Sequence, residues 1–439
     1  MAMVVKNNMS ALSTLNTLNK NTKALSKSLQ KVSSGMKINS AADDASGYAI
    51  SERMRVQIRS LDQANSNAQN GGSMMKVAEG AVSSTVEILK TLKEKAVNAA
   101  NDTNTDADRQ TIQKELDQSI DQINDNANVT FNGQYLVDGS KNSATKATCT
   151  ALTNQSLAES TGSETALTDL KARNGDSLNI QTSDTITVSW VKDGKTYTAS
   201  TKVGTLTLDS ALKAMKDGSQ TLSTDISLSA GKTSFIAVDG SGNSVYTASG
   251  ESSISVTSAK SGIENQISGF TISITDNTGA VRKSANAALD AFDETLRAQN
   301  TSADNSINLQ IGTKANQTIK VGLTDMKAQA LGLQGKNNDT IQVGNQEQAN
   351  AAINVLDAAI QKALDQQTTI GAVQSRLEYT QSNLTTASEN VTAAESTIRD
   401  ADMAKEMTEY TKNNVLMQAA QSMLAQANQS SSNVLSLLQ

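Results

Sequence analysis

The sequence predicts a mainly α-helical, coiled-coil-like bundle formed by both chain ends, with a β-rich (α+β) domain inserted between them. Three observations predict it. Matched seven-residue apolar repeats lie near the two termini, the centre is rich in Ser, Thr and Gly with two-residue alternation, and the segments follow one another in nested order.

The first element is a helix. Ala11, Leu15, Leu18, Thr22, Leu25, Leu29 and Val32 alternate spacings of four and three, which is a heptad seam. The run "SSGMKINSAADDASG" then interrupts the pattern around Gly35 and Gly47. Asp43 and Asp44 favour the positive N-terminal end of the next helix, with a capping role. From Met54 the positions Leu61, Ala68, Met75, Val82, Leu89 and Ala96 are apolar or small at every seventh residue. Met74 and Met75, beside Gly71 and Gly72, read as bundle core. A further helix fits Arg109 to Ala127, with Ile112, Leu116, Ile120 and Ile123 on one face.

Near the other end Leu356, Ala363, Ile370, Leu377, Leu384, Val391 and Ile398 repeat the period over the same length. Each stripe corresponds to about 63 Å of helix. Gln367, Gln374, Gln381, Ser388 and Glu395 occupy the companion heptad position. A seam this polar makes a poor isolated two-stranded coil and suits a larger bundle. Met403, Met407, Tyr410, Met417 and Leu424 continue to the C-terminus. There "NNVLMQAAQSMLAQANQ" presents Leu416, Met417, Ala420, Met423, Leu424 and Ala427 on one face.

The centre changes character between about Asn142 and Ser284. "TITVSWVKDGKTYTAS" is a hairpin signal, two alternating runs joined at Asp193-Gly194. "GFTISITDNTGAV" and "SFIAVDGSGNSVYTAS" repeat the pattern, and "LDSALKAMKDGS" reads as one short helix ending before Gly218. The expected division has three parts: residues 1–42 with 403–439 as a terminal helix pair, 43–141 with 298–402 as a long-helix bundle, and 142–297 as a surface-exposed insert whose entry and exit lie close together.

Composition excludes several functions. The chain has 439 residues, 37% hydrophobic and 3% aromatic, with no histidine, no proline and one cysteine, Cys149. Without histidine, Ser-His-Asp, Cys-His and HExxH sites are impossible, and the commonest zinc ligand is missing. A lone thiol forms no internal disulfide. The 38 basic and 44 acidic residues give −6 with no basic run, so nucleic acid is not an expected partner. No stretch approaches the roughly 20 apolar residues of a membrane span. The opening "MAMVVKNNMSALSTL" lacks a signal-peptide h-region. Catalysis by carboxylates or lysine stays open on composition alone, and no cofactor, metal or catalytic residue is assigned.

The two ends closely resemble bacterial flagellin. "LQKVSSGMKINSAADDASGYAISERM" is similar to its N-terminal signature. "SINLQIGTKANQTI" and "LTTASENVTAAESTIRDADMAKEMTEYTKNNVLMQAAQSMLAQANQ" are similar to its C-terminal ones. The resemblance covers roughly residues 1–140 and 300–439. It implies a non-enzymatic subunit of the extracellular flagellar filament, exported by the flagellum's own type III apparatus without a cleaved signal peptide. The implied partners are further copies in a helical polymer, an export chaperone, a filament cap protein and the hook-associated junction proteins. It also implies that the terminal pair forms an inner tube and the long helices an outer tube. A hook–filament junction protein is the alternative.

Candidate site residues follow. For self-assembly they are Leu15, Leu18, Leu25, Leu29, Val32, Met407, Tyr410, Leu416, Met417, Met423 and Leu424. Glu52, Arg53, Arg55, Arg59 and Asp62 form a mixed charge cluster, with Glu52–Arg55 and Arg59–Asp62 spaced as i,i+3 pairs. The resemblance gives that cluster an intersubunit role. It also extends to the stretch that a vertebrate host Toll-like receptor reads in flagellins. "LKTLKEKAVNAAND" matches at Glu94, Ala96, Val97 and Asn101, and Glu115 fits a second contact. Thr91 and Lys95 depart, standing where the family pattern has arginine and leucine. Recognition weaker than that of a typical flagellin is therefore expected.

Overall fold

A computed structural model describes residues 8–217, 220–231, 235–247 and 253–437. The first seven residues, Gly218 and the last two residues lie outside them, as do parts of the opening and of the "SFIAVDGSGNSVYTAS" run. The helices among the described residues are α1 (Met9–Ser34), α2 (Ala45–Ala99), α3 (Asp106–Ala127), α4 (Leu208–Ala214), α5 (Leu222–Asp225), α6 (Lys283–Leu289), α7 (Gln346–Arg399) and α8 (Met403–Leu437). Long N- and C-terminal helices thus flank a central β-rich region. None of the helices is long and apolar enough to cross a membrane.

Heptad positions become core where two long helices face each other. Leu61, Ala68, Met75, Val82, Leu89 and Ala96 on α2 are all buried, and so are Leu356, Ala363, Ile370, Leu377 and Leu384 on α7. The polar companions reach across. Gln374 Nε2 donates to Glu79 Oε2 at 2.7 Å, Ser388 Oγ to Asp62 Oδ1 at 3.1 Å, and Arg55 Nε to Glu395 Oε1 at 2.9 Å. On α3, Leu116, Ile120 and Ile123 are buried, while Ile112 is half-buried. Thr105 caps that helix reciprocally with Asp108.

The strands are β1 (Thr130–Phe131), β2 (Gln134–Tyr135), β3 (Ala151–Asn154), β4 (Thr185–Lys192), β5 (Lys195–Lys202), β6 (Lys216–Asp217), β7 (Gln220–Thr221), β8 (Ile226–Gly231), β9 (Phe235–Val238), β10 (Ser244–Tyr246), β11 (Ser253–Ser258), β12 (Ile267–Thr275), β13 (Asp293–Leu296), β14 (Ile307–Gln310) and β15 (Thr318–Val321). Two larger antiparallel sheets form, in the orders β13-β3-β11-β8 and β12-β4-β5. The predicted hairpin at Asp193-Gly194 is β4–β5, in register from Thr185↔Lys202 to Lys192↔Lys195. Both turn residues have positive φ, 53° and 75°, as a two-residue turn of this hand requires. The β9–β10 run is also a hairpin. "GFTISITDNTGAV" differs: β12 pairs with β4, and its turn leads into α6. Between the sheets and short helices lies one core centred on Trp190 and Phe270.

The chain packs as two compact units. The first takes the described parts of Met1–Ala68, Gln310–Gln317 and Tyr379–Gln439; the second takes those of Gln69–Leu309 and Thr318–Glu378. Within the second unit the insert's entry and exit run side by side, bridged at Thr145↔Ser302 and Thr148↔Gln299. The β4–β5 turn lies on the backbone of 335–339. A Cβ on Gly194 would sit 2.0 Å from Asp339 O, and one on Gly335 would sit 1.9 Å from Asp193 O. Likewise Gly269 in β12 leaves room for Ala351 and Val355 of α7.

Candidate assembly surface and receptor patch

In the first unit α1 and α8 run antiparallel, and their polar side chains set the register. Asn8 Nδ2 donates to Ala427 O at 3.2 Å, Asn21 Nδ2 to Leu416 O at 3.2 Å, and Asn413 Nδ2 to Ser28 Oγ at 3.0 Å. Lys31 pairs with Glu406 at 3.1 Å. The apolar residues divide into two sets. Leu18, Leu25 and Val32 recur every seven residues, as do Tyr410, Met417 and Leu424, and all six are half-buried. The other five candidates face solvent: Leu15 is 41% exposed, Leu29 51%, Met407 45%, Leu416 42% and Met423 61%. Met9, Leu12, Met403 and Val415 extend this exposed apolar surface. Ser28 and Ala420 are the buried side chains of the pair among the described residues.

A clasp joins the terminal pair to the long helices of the same unit. Gly35, in left-handed conformation, ends α1, and Met36 bridges to Asp400. Lys37 N donates to Arg399 O at 2.7 Å and Ala401 N to Gly35 O at 3.0 Å. Asp44 caps α2 through Ser46 N and Gly47 N. Asp43 accepts from Asn39 N and Ser40 N and pairs with Lys27 at 2.9 Å. That ammonium, opposed by burial and aided by the two amides, holds the Asp43 carboxyl down at about 2.

The charge cluster is assembled differently from its sequence spacing. Arg399, buried at the end of α7, donates to Glu52 Oε1 at 2.6 Å and lies 5.3 Å from the Tyr48 ring centroid. The Arg399 hydrogen bond is the chief reason the Glu52 carboxyl is held below its ordinary value. Glu52 and Arg55 are 3.9 Å apart, and Arg55 makes its closer bond to Glu395. Arg59 and Asp62 do not pair, since Asp62 accepts from Ser388 instead. Glu52–Arg55 thus persists as a longer i,i+3 pair beside closer bonds to the facing helix. Arg53 and Arg59 are exposed and form no ion pair among the described residues. Sequence reasoning missed Arg399; an arginine closing a long heptad helix before a break was the available signal.

The candidate receptor-patch residues lie in the second unit, on α2 and α3. Thr91, Glu94 and Val97 are exposed, Val97 by 51%. Thr91 turns its hydroxyl to Glu87 O at 3.1 Å. Lys95 pairs with Glu115 at 2.9 Å, so two candidate residues hold each other. Lys93 pairs with Asp357.

Two long helices, a terminal helix pair and a β-rich insert define a coiled-coil-like helical protein with an inserted domain. Two family models match: the bacterial flagellin N-terminal helical region over residues 5–142 and the C-terminal helical region over 353–438. Over nearly its full length the chain is similar to the flagellin of Clostridium tyrobutyricum, 35% identical across 97% of this chain and 99% of that one. The flagellin of Bacillus subtilis (strain 168) is 31% identical across 99% and 100%, and flagellin B of Vibrio anguillarum 32% across the whole of both. The chain belongs to the bacterial flagellin family, the structural subunits of the extracellular flagellar filament.

Proposed function

We propose that the chain polymerises into the filament through its α1–α8 pair. The observation that carries this reading is the set of nine large apolar side chains on that pair that a single copy leaves in solvent among the described residues. Burying one such side chain contributes about 1.5–3 kcal/mol, so covering the surface between copies is a strong drive to associate. A contact that repeats head to tail without closing a ring generates an open helix. The terminal pair then forms the inner tube and the α2–α7 bundle the outer tube. Arg53 and Arg59, exposed and without an ion pair among the described residues, serve contacts to neighbouring copies, while Glu52, Arg55 and Asp62 hold the subunit together.

The same apolar surface must be shielded before assembly. This fits an export chaperone on the α8 region, release through the type III apparatus, and ordering under a filament cap beyond the hook-associated junction proteins. Recognition by a host Toll-like receptor is weakened, because Lys95 is engaged by Glu115 where the family pattern has an apolar residue. Lys95→Leu is expected to raise potency in a receptor reporter assay.

Seeded assembly of purified chain, followed by sedimentation and negative-stain microscopy, tests the main reading. The full chain should yield long tubes, and a variant lacking residues 413–439 none. Soluble full-length chain where a known flagellin polymerises would overturn it.

A further inference from the structure

The chain contains three Asn-Gly dipeptides, Asn70-Gly71, Asn132-Gly133 and Asn174-Gly175. All three asparagines are exposed, so access does not separate them. Their hydrogen bonding does. Asn-Gly is the dipeptide in which the next backbone nitrogen most readily attacks the side-chain amide, since glycine offers no Cβ obstruction. The attack needs a free nitrogen, a free side chain and a backbone able to swing between them.

Asn70 fails the last condition. It lies inside α2, where the Gly71 amide is committed to the helix ladder and the Gly71 face is packed against Leu309. Asn174 fails the first two. Its Oδ1 accepts from Asp176 N at 3.1 Å and its Nδ2 donates to Asp176 Oδ2 at 2.6 Å, while Gly175 N donates to Ala172 O at 2.9 Å. Asn132 has neither restraint. It occupies the turn of β1–β2 at φ 49°, with Gly133 at 75°, and neither its side chain nor Gly133 N has a hydrogen-bond partner among the described residues. The hairpin holding it has two residue pairs, Thr130↔Tyr135 and Phe131↔Gln134. Hairpins this short are marginal and open locally at little cost.

We propose that Asn132 is a site of spontaneous deamidation, selected from the three Asn-Gly positions by its free turn. Gly133 N loses its proton and attacks Asn132 Cγ. The Cγ–N bond of the side-chain amide breaks and ammonia leaves, giving a five-membered succinimide. Water then opens the ring at either carbonyl, and the product is an aspartyl or isoaspartyl residue. The net change is one amide and one water converted to a carboxylate and ammonium, with no oxidant or cofactor. The isoaspartyl form lengthens the backbone by one methylene inside the turn. That unzips β1–β2 and the Leu136 N–Val129 O bond at 3.3 Å, next to buried Leu136 and Val137. None of this depends on the assembly reading.

The test is peptide mapping by mass spectrometry of folded full-length protein aged at neutral pH. The Asn132 peptide should gain one mass unit at least roughly ten-fold faster than those of Asn70 and Asn174, because local opening differs between a two-pair turn and bonded sites. Two isomeric products should separate, and the rate should rise with pH. Conversion of Asn70 or Asn174 at a similar rate would overturn the selection. Asn132 unchanged in folded protein, while the same peptide converts after digestion, would overturn the site.

Discussion

The insert core and the terminal helix pair stabilise themselves in opposite ways. In the insert, Trp190 is fully buried, stacks on Tyr197 at 5.6 Å, and donates to buried Asp225; Phe270 meets Phe292 edge-on at 5.1 Å. In the α1–α8 pair, large apolar residues lie on the surface, and buried side chains are one serine and one alanine among the described residues. One region spends its few aromatic residues on itself. The other leaves leucine and methionine in solvent, on the surface proposed above to join copies.

The sharpest way to break that comparison is to cut each region once. Trp190→Ala should lower stability of the second unit by about 3–5 kcal/mol, read as a denaturant midpoint shift. Leu416→Ser should change the stability of the first unit by less than about 0.5 kcal/mol, as surface substitutions do, yet suppress seeded assembly. Equal stability losses from the two would show that the terminal pair is core after all.

Smaller effects refine the picture. Gly335→Ala places a methyl within 1.9 Å of Asp193 O, and overpacking of this kind costs about 1–3 kcal/mol. Its signature is lost protection of the β4–β5 turn amides in hydrogen exchange. Gln374→Leu removes a 2.7 Å bond to the Glu79 carboxylate and should cost about 1.5 kcal/mol, the low end for a charged acceptor, detectable in the same unfolding series. The acid response of the clasp should be smaller still. Asp43 falls from 3.8 in the unfolded chain to about 2 in the fold, so its contribution is full above the unfolded value and is lost as pH drops toward 2. Carboxyl titration by NMR checks this, and Lys27→Met should return the midpoint toward 3.8.

Much of this was legible in the sequence, because heptads and alternation are local signals. Every heptad residue from Leu61 to Ala96 is buried, and the β4–β5 register follows from its Asp-Gly turn. The charge cluster was half legible: Glu52–Arg55 forms at 3.9 Å, but the other partners lie on a facing helix. Spacing along one helix proposed Arg59–Asp62, whereas a facing helix supplied Ser388 and Arg399 at sequence separations no local rule reaches.

The sequence by itself determined the long helices, their breaks, the β4–β5 hairpin and which faces are apolar, since each depends on residues within a few turns of one another. Tertiary structure alone decided three things. It showed which apolar positions on α1 and α8 are half-buried and which stay exposed. It placed the irregular 322–345 segment in the core through Leu323, Leu333, Ile341 and Val343, anchored by Gln113 and Asn124 of α3. It also set the backbone contact of Gly194 on Gly335. These depend on which distant segment arrives to exclude water or to offer a hydrogen bond, and no periodicity encodes that.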